Sequence, residues 1–263
     1  MAAAALAATQ SLHAEEGVVR LHAAGSLRPA LTELSQAFTA AHGATVEAQF
    51  GSSGLLRERL ERGEPGEVYA SADMGNPLAL AKGGKAWPVV MFVRNRLCAV
   101  VRPGLDVTPD TILAKMLLPE VKLGTSTPRN DPAGDYAWQV FAKADRVQPG
   151  ARAVLETKAL KLTGAADSPR PSGGRSVYAW HVLEGRADLF LAYCTAGREA
   201  AAEAPGITVV EMPPELAVGA EYGLTVLRAG NAQAALPLVL YMLSKDGQAI
   251  LARYGFDAPL SLK

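Results

Sequence analysis

Apolar and polar positions along this chain switch repeatedly from the alternation of a strand to the three-to-four spacing of a helix, with Gly and Ser at the switches. Residues 18–23 (VVRLHA) read as a short strand, Gly25-Ser26 follows, and residues 29–40 carry Leu31, Leu34, Ala37 and Phe38 at helical spacing. The order recurs at once, with a strand over 45–50, the turn Gly51-Ser52-Ser53-Gly54, and an amphipathic helix over 55–62 that sets Leu55, Leu56 and Leu60 on one side. A third strand pattern covers 67–71. Further strands are predicted over 97–101, 121–124, 189–193, 207–211 and 222–228, and helices over 135–144, 150–157, 175–184 and 232–254. Strands alternating with helices predict an α/β fold of mixed, mostly parallel sheets covered by helices on both faces.

No internal repeat and no Ser/Gly-rich linker divides the chain, so two lobes would have to be joined by strands rather than by a tether. Residues 91–101 and 221–227 are extended, apolar or β-branched, and flank a middle segment. They are predicted as two crossover strands. Residues 18–95 with 222–263 then make one lobe and residues 96–221 an inserted second lobe, able to bend about the crossings.

Composition excludes several classes. With 49% hydrophobic and 20% charged residues among 263, the chain is globular rather than disordered. Its 26 Lys and Arg balance 26 Asp and Glu, which leaves no overall positive field to gather nucleic acid. Residues 1–17 look like the remnant of a secretory signal peptide: an Ala-rich apolar stretch, then Leu12-His13-Ala14 before two acids, with no basic segment ahead of it. Export would place Cys98 and Cys194 in an oxidising compartment, where an even pair can form a disulfide; Cys98, inside an apolar run, fits a buried free thiol equally well.

Four small, polar turns sit at predicted strand-to-helix junctions: Gly25-Ser26, Gly51 to Gly54, Thr125 to Gly134, and Ser172-Gly173-Gly174-Arg175. Each offers hydroxyls and unpaired N–H groups at a helix start, where the helix dipole favours an anion. Capping alone accounts for any one of them, but four at the carboxyl ends of strands point to a binding cleft. Enzyme signatures are missing: there is no Gly-x-Ser-x-Gly elbow, no phosphate-binding loop and no Gly-x-Gly-x-x-Gly. His13, His22, His42 and His181 are scattered without zinc-site spacing. No paired acid and base stands at the four turns, so the chain reads as a binder rather than an enzyme.

Ala23-Ala24-Gly25-Ser26-Leu27, Phe50-Gly51-Ser52-Ser53-Gly54 and Val68 to Asp73 resemble, in order, the N-terminal motifs of the periplasmic molybdate-binding protein family. Asn95-Arg96-Leu97, Asp131-Pro132-Ala133-Gly134, Gly185 to Tyr193 and Glu221-Tyr222-Gly223 continue the resemblance, which spans nearly all of residues 18–263. It implies a two-lobe type II periplasmic binding fold and the periplasmic component of an ABC importer. Such a receptor is a monomer without cofactor that closes on molybdate or tungstate and delivers it to a permease in the inner membrane. Carried over residue by residue, the ligand donors would be the hydroxyl and N–H of Ser26 and of Ser53, the N–H of Ala133 and the hydroxyl of Tyr193. The family's fifth donor, a backbone N–H in a Glu-Asn-Val turn, falls by counting on Arg175, in a Gly-Gly-Arg context that departs from the pattern. A guanidinium there, with further positive charge from Arg28 just after Ser26 and Arg129 in the Pro128-Arg129-Asn130 turn, opens the alternative of another oxyanion, a carboxylate or an anionic metal complex.

Overall fold

The computed structural model describes residues 17–259, so the stretch read as a signal-peptide remnant lies, but for Gly17, outside the described residues. The first half of the molecule is built on β1 (Val19–Ala24), β2 (Val46–Gly51) and β3 (Val68–Ser71), with β1 pairing in parallel to both neighbours. Alternation along β1 sends Val19, Leu21 and Ala23 to a core shared with α1 (Arg28–His42), α9 (Ala232–Leu243) and α10 (Lys245–Arg253). On the opposite face Tyr69 of β3 packs with Leu56 and Leu60 of α2 (Ser53–Glu61) and Leu80 of α3 (Gly75–Lys82).

Two long antiparallel strands carry the chain between halves. Over Val90 to Arg96, β4 (Val90–Val101) pairs with β9 (Gly219–Val226), with an irregularity between Met91 and Val93. From Leu97 or Cys98 to Val101, β4 instead pairs antiparallel with β7 (Leu189–Tyr193) and β8 (Thr208–Glu211). β9 returns between β3 and β4, giving the order β2-β1-β3-β9-β4-β7-β5-β6, with β5 (Leu123–Ser126) and β6 (Leu160–Thr163) parallel. Parallel pairs therefore lie towards both ends, and antiparallel pairs surround the crossings. In the second half, α4 (Ile112–Leu117), α5 (Pro132–Val147) and α6 (Ala151–Lys158) cover one face. The other carries α7 (Val177–Leu183) and α8 (Cys194–Glu203), which pack on Val100, Phe190 and Ala192.

The single helix predicted over 232–254 is two. Ser244 is extended (φ −69°, ψ 166°) and its hydroxyl caps α10 by accepting from Gly247 N at 3.2 Å. A Cβ on Gly247 would stand 2.0 Å from the carbonyl oxygen of Tyr241, so only glycine lets α10 turn so tightly against α9.

Cys98 on β4 and Cys194 at the start of α8 are joined as a disulfide, closing a loop with a sequence separation of 96. A loop of about that size is worth roughly 4–5 kcal/mol in the chain-entropy account, and removing native disulfides commonly costs about 2–5 kcal/mol. Replacing both cysteines by alanine is expected to lower the thermal midpoint while preserving the far-UV circular dichroism spectrum; a midpoint unchanged from the oxidised protein would deny the bond a stabilising role.

Candidate functional site

The turns after β1, β2, β3, β5, β6 and β7 surround a cavity of about 380 Å³. Ser26, Ser53, Arg175 and Tyr193 all line it, although they come from sequence positions up to 167 apart in number, 26 against 193. Ala133 is buried and is not part of the lining.

Ser53 opens α2, with Ser52 extended before it as the N-cap residue. Its hydroxyl oxygen accepts from Ala72 N at 3.1 Å, and its carbonyl accepts from the Tyr69 phenol at 2.7 Å. Both bonds hold the residue without using the hydroxyl proton, which stays available to the cavity. The next amide, Gly54 N, donates to the carbonyl of Asn130 at 3.0 Å and so ties the two halves together across the cleft. Arg129, just before Asn130, is the one non-glycine residue with positive φ among those described (φ 69°), a strained conformation that its N–H bond to Asp135 Oδ1 at 3.0 Å supports.

Ser26 sits in the 3-10 turn Gly25–Leu27, with its Oγ 2.9 Å from the phenol oxygen of Tyr222. Asn95, on β4, donates through Nδ2 to Tyr222 at 3.2 Å and to Thr195 Oγ1 at 2.9 Å, while its Oδ1 accepts from Arg96 N. With Asn95 donating, the Tyr222 proton can go to Ser26 and the Ser26 proton to the cavity. Tyr193, 2% exposed, donates to Ala72 O at 3.5 Å, and burial holds its phenol well above the ordinary range, so it is a neutral donor at any physiological pH.

The Ala133 N–H is occupied at home. Asp131 is the N-cap residue of α5 and takes that N–H on Oδ1 at 3.1 Å, while Ser126 Oγ donates to its Oδ2 at 2.6 Å. It is Asp131 that faces the cavity, and burial pushes its carboxyl above the usual range. Glu199 of α8 also lines the cavity and is raised by burial, with the neighbouring Glu203 adding to the shift. Arg175 is on the wall, but its Nε reaches Glu203 Oε1 at 3.4 Å, a half-exposed pair that offsets much of its charge. Arg28 lines the cavity with its guanidinium 4.7 Å from the Phe50 ring centre, whereas Arg129 is outside the lining. Sequence reasoning passed over Asp131, Arg170, Tyr178 and Glu199 as lining residues. Asp before Pro-Ala is a helix-start signal that could have singled out Asp131.

A family model described as bacterial extracellular solute-binding protein matches residues 19–257. An uncharacterized protein of Pasteurella multocida is 33% identical over 240 residues, 90% of this chain and 98% of that one. The Escherichia coli molybdate-binding protein is 27% identical over 261 residues, 97% of this chain and 95% of its own. Among solved structures, the sulfate-binding protein of Mycobacterium tuberculosis superposes with a TM-score of 0.74 at 19% identity, covering 92% of this chain and 87% of that one. At that identity the likeness is one of fold: the mixed α/β periplasmic binding fold, two lobes with crossover strands between them.

Two tests follow from the geometry. Because burial raises the Asp131 carboxyl above its unfolded value, its contribution to stability is fully present below the unfolded pKa and is lost as pH rises through the folded one. Asp131→Asn keeps an N-cap oxygen and is expected to melt higher than the parent at pH 8, with the difference closing as pH falls towards 4; a constant or reversed difference contradicts this. At Gly54 an added Cβ would lie 2.4 Å from the Arg129 carbonyl oxygen. Gly54→Ala should therefore leave the helical content intact but separate the two halves, read as a larger radius of gyration by small-angle scattering; an unchanged radius would show that the turn yields instead.

Proposed function

Because the chain belongs to the bacterial extracellular solute-binding protein family, we propose that it is the periplasmic receptor of an ABC importer, holding an oxyanion-bearing solute in the cleft and presenting it to an inner-membrane permease. The observation that carries this reading is the meeting of Ser26, Ser53 and Tyr193, three neutral hydroxyls, on one cavity at the carboxyl ends of strands. Each is held by a partner that leaves its donor free or weakly engaged, as an anion site built from dipoles requires. In this reading the lobes are residues 18–95 with 222–263 and residues 96–221, and they close about β4 and β9 as a monomer. Ala133 contributes through its N-cap: its N–H holds Asp131 in place beside the ligand. The disulfide supports an oxidising compartment outside the cytoplasm.

Molybdate or tungstate is the first ligand of this proposal, because the family resemblance and the Escherichia coli relative both point to a tetrahedral oxyanion. Arg175, Arg28 and Arg170 on the wall favour a second reading in which the same site takes a different anion. Isothermal titration separates the two: heat and a thermal shift with molybdate or tungstate favour the first, and silence with both, together with a response to another anion, favours the second. In either case Ser53→Ala removes a hydrogen bond to charge worth about 1.5–3 kcal/mol, so the dissociation constant is expected to rise by about one to two decades. An unchanged constant would remove Ser53 from the site.

A further inference from the structure

We infer that the ligand of this cleft is a small organic anion that also carries a hydroxyl or amino group, rather than a bare tetrahedral oxyanion. This rests on the reading of the cleft as an anion receptor and, of its two ligand readings, takes the second further. Two features carry it: the room the cavity offers beyond a bare tetrahedral anion, and the mixture of charge on its walls.

The cavity measures about 380 Å³. By a comparable measure one water needs about 10–15 Å³, so the four oxygens of a bare tetrahedral anion need roughly 40–60 Å³. Most of the space would be left over. The two halves already touch beside it, where Gly54 N donates to Asn130 O at 3.0 Å and Tyr193 Oη to Ala72 O at 3.5 Å. With those contacts made the cavity still opens to solvent, so it has room for a body attached to the anionic head. Part of its wall is the segment after β6, which brings Pro169 and Pro171 to the lining. Their rings fix φ and limit how far that wall can fold inwards.

Charge points the same way. Alongside the three hydroxyls the lining holds Arg28, Arg170 and Arg175, but also the carboxyls of Asp131 and Glu199. A bare dianion offers no donor to a carboxyl and is repelled by it when ionised. A ligand with an anionic head and a hydroxyl or amine on its body satisfies both signs: the head takes the hydroxyls of Ser26, Ser53 and Tyr193, and the donor takes an oxygen of Glu199, since both oxygens of Asp131 already accept bonds from Ser126 and Ala133. Carboxylate, phosphate ester and sulfonate heads share this chemistry, and the panel below distinguishes them.

The test is titration calorimetry and thermal shift on the full, oxidised protein. One set of probes is molybdate, tungstate, sulfate and inorganic phosphate; the other is lactate, malate, citrate, serine, glycerol 3-phosphate, phosphoserine and taurine. At least one organic anion is expected to bind ten times or more tighter than every bare oxyanion. For that anion Ser53→Ala and Glu199→Gln should both weaken binding, by about tenfold or more, whereas for a bare oxyanion Ser53→Ala should weaken binding and Glu199→Gln should not. If molybdate or tungstate binds tighter than every organic anion, or if Glu199→Gln leaves the organic ligand's affinity unchanged, the inference is overturned while the receptor reading stands. If no anion of either set binds, or Ser53→Ala is without effect on all that do, the receptor reading itself fails and takes the inference with it.

Discussion

Everything in this molecule hangs from the antiparallel pairing of β4 with β9. The register from Val90 opposite Leu224 to Arg96 opposite Gly219 fixes where one sheet hands over to the other, since beyond Arg96 the same strand turns to β7 and β8. Shifting that register by one residue would send one strand's side chains to the opposite face relative to the other's. Asn95 would then leave Tyr222 and Thr195, and Tyr222 would leave Ser26. The same pairing that joins the lobes thus also sets the orientation of a donor in the cleft.

The cleft combines two strategies for handling charge. Its serines and tyrosine are neutral groups with protons to give: Ser53 is locked by bonds to its hydroxyl oxygen and its carbonyl, and Tyr193 spends its proton only on a long bond to Ala72 O. Around them stand full charges of both signs, partly neutralised by partners behind the wall, as Arg175 is by Glu203. Asp131 belongs to both strategies. As the cap of α5 it accepts from Ala133 N of that helix and from Ser126 Oγ at the end of β5, and as a wall of the cavity it meets whatever enters. A carboxyl so placed sets a sign and a hydrogen-bond direction for the occupant, which four identical oxygens would not require.

The architecture was legible wherever local pattern decides it. β7 occupies the span its apolar run predicts, and the turns at Ser26 and Ser53 sit where Gly and Ser interrupt the periodicity. The break at Ser244 was not legible, because one serine in a helical pattern is unremarkable in sequence and the turn depends on Gly247 meeting the carbonyl of Tyr241. β6 was missed for its brevity: Leu160–Thr163 is a four-residue edge strand with two exposed positions. In the cleft, sequence could place Ser26, Ser53, Arg175 and Tyr193 at turns but not reveal what each is bonded to. The partners of Arg175 and Ser26 lie 28 and 196 residues away, and such contacts leave no periodic trace.

The order of strands also has a kinetic side. β9 is the last strand among the described residues, yet it lies in the interior of the sheet, between β3 and β4. A chain made from its amino end therefore has β1, β2 and β3 in hand long before the strand that closes the edge of β3. Until then that edge is an open template for mispairing, and completing it demands contacts far apart in sequence, the kind that slow folding most. The strands between Leu97 and Glu211 and the disulfide, which fall within one continuous stretch, face no such wait. A vectorially emerging chain would thus complete that half as a unit and the half around β1 only at the end, so the cleft would be among the last features of the protein to exist.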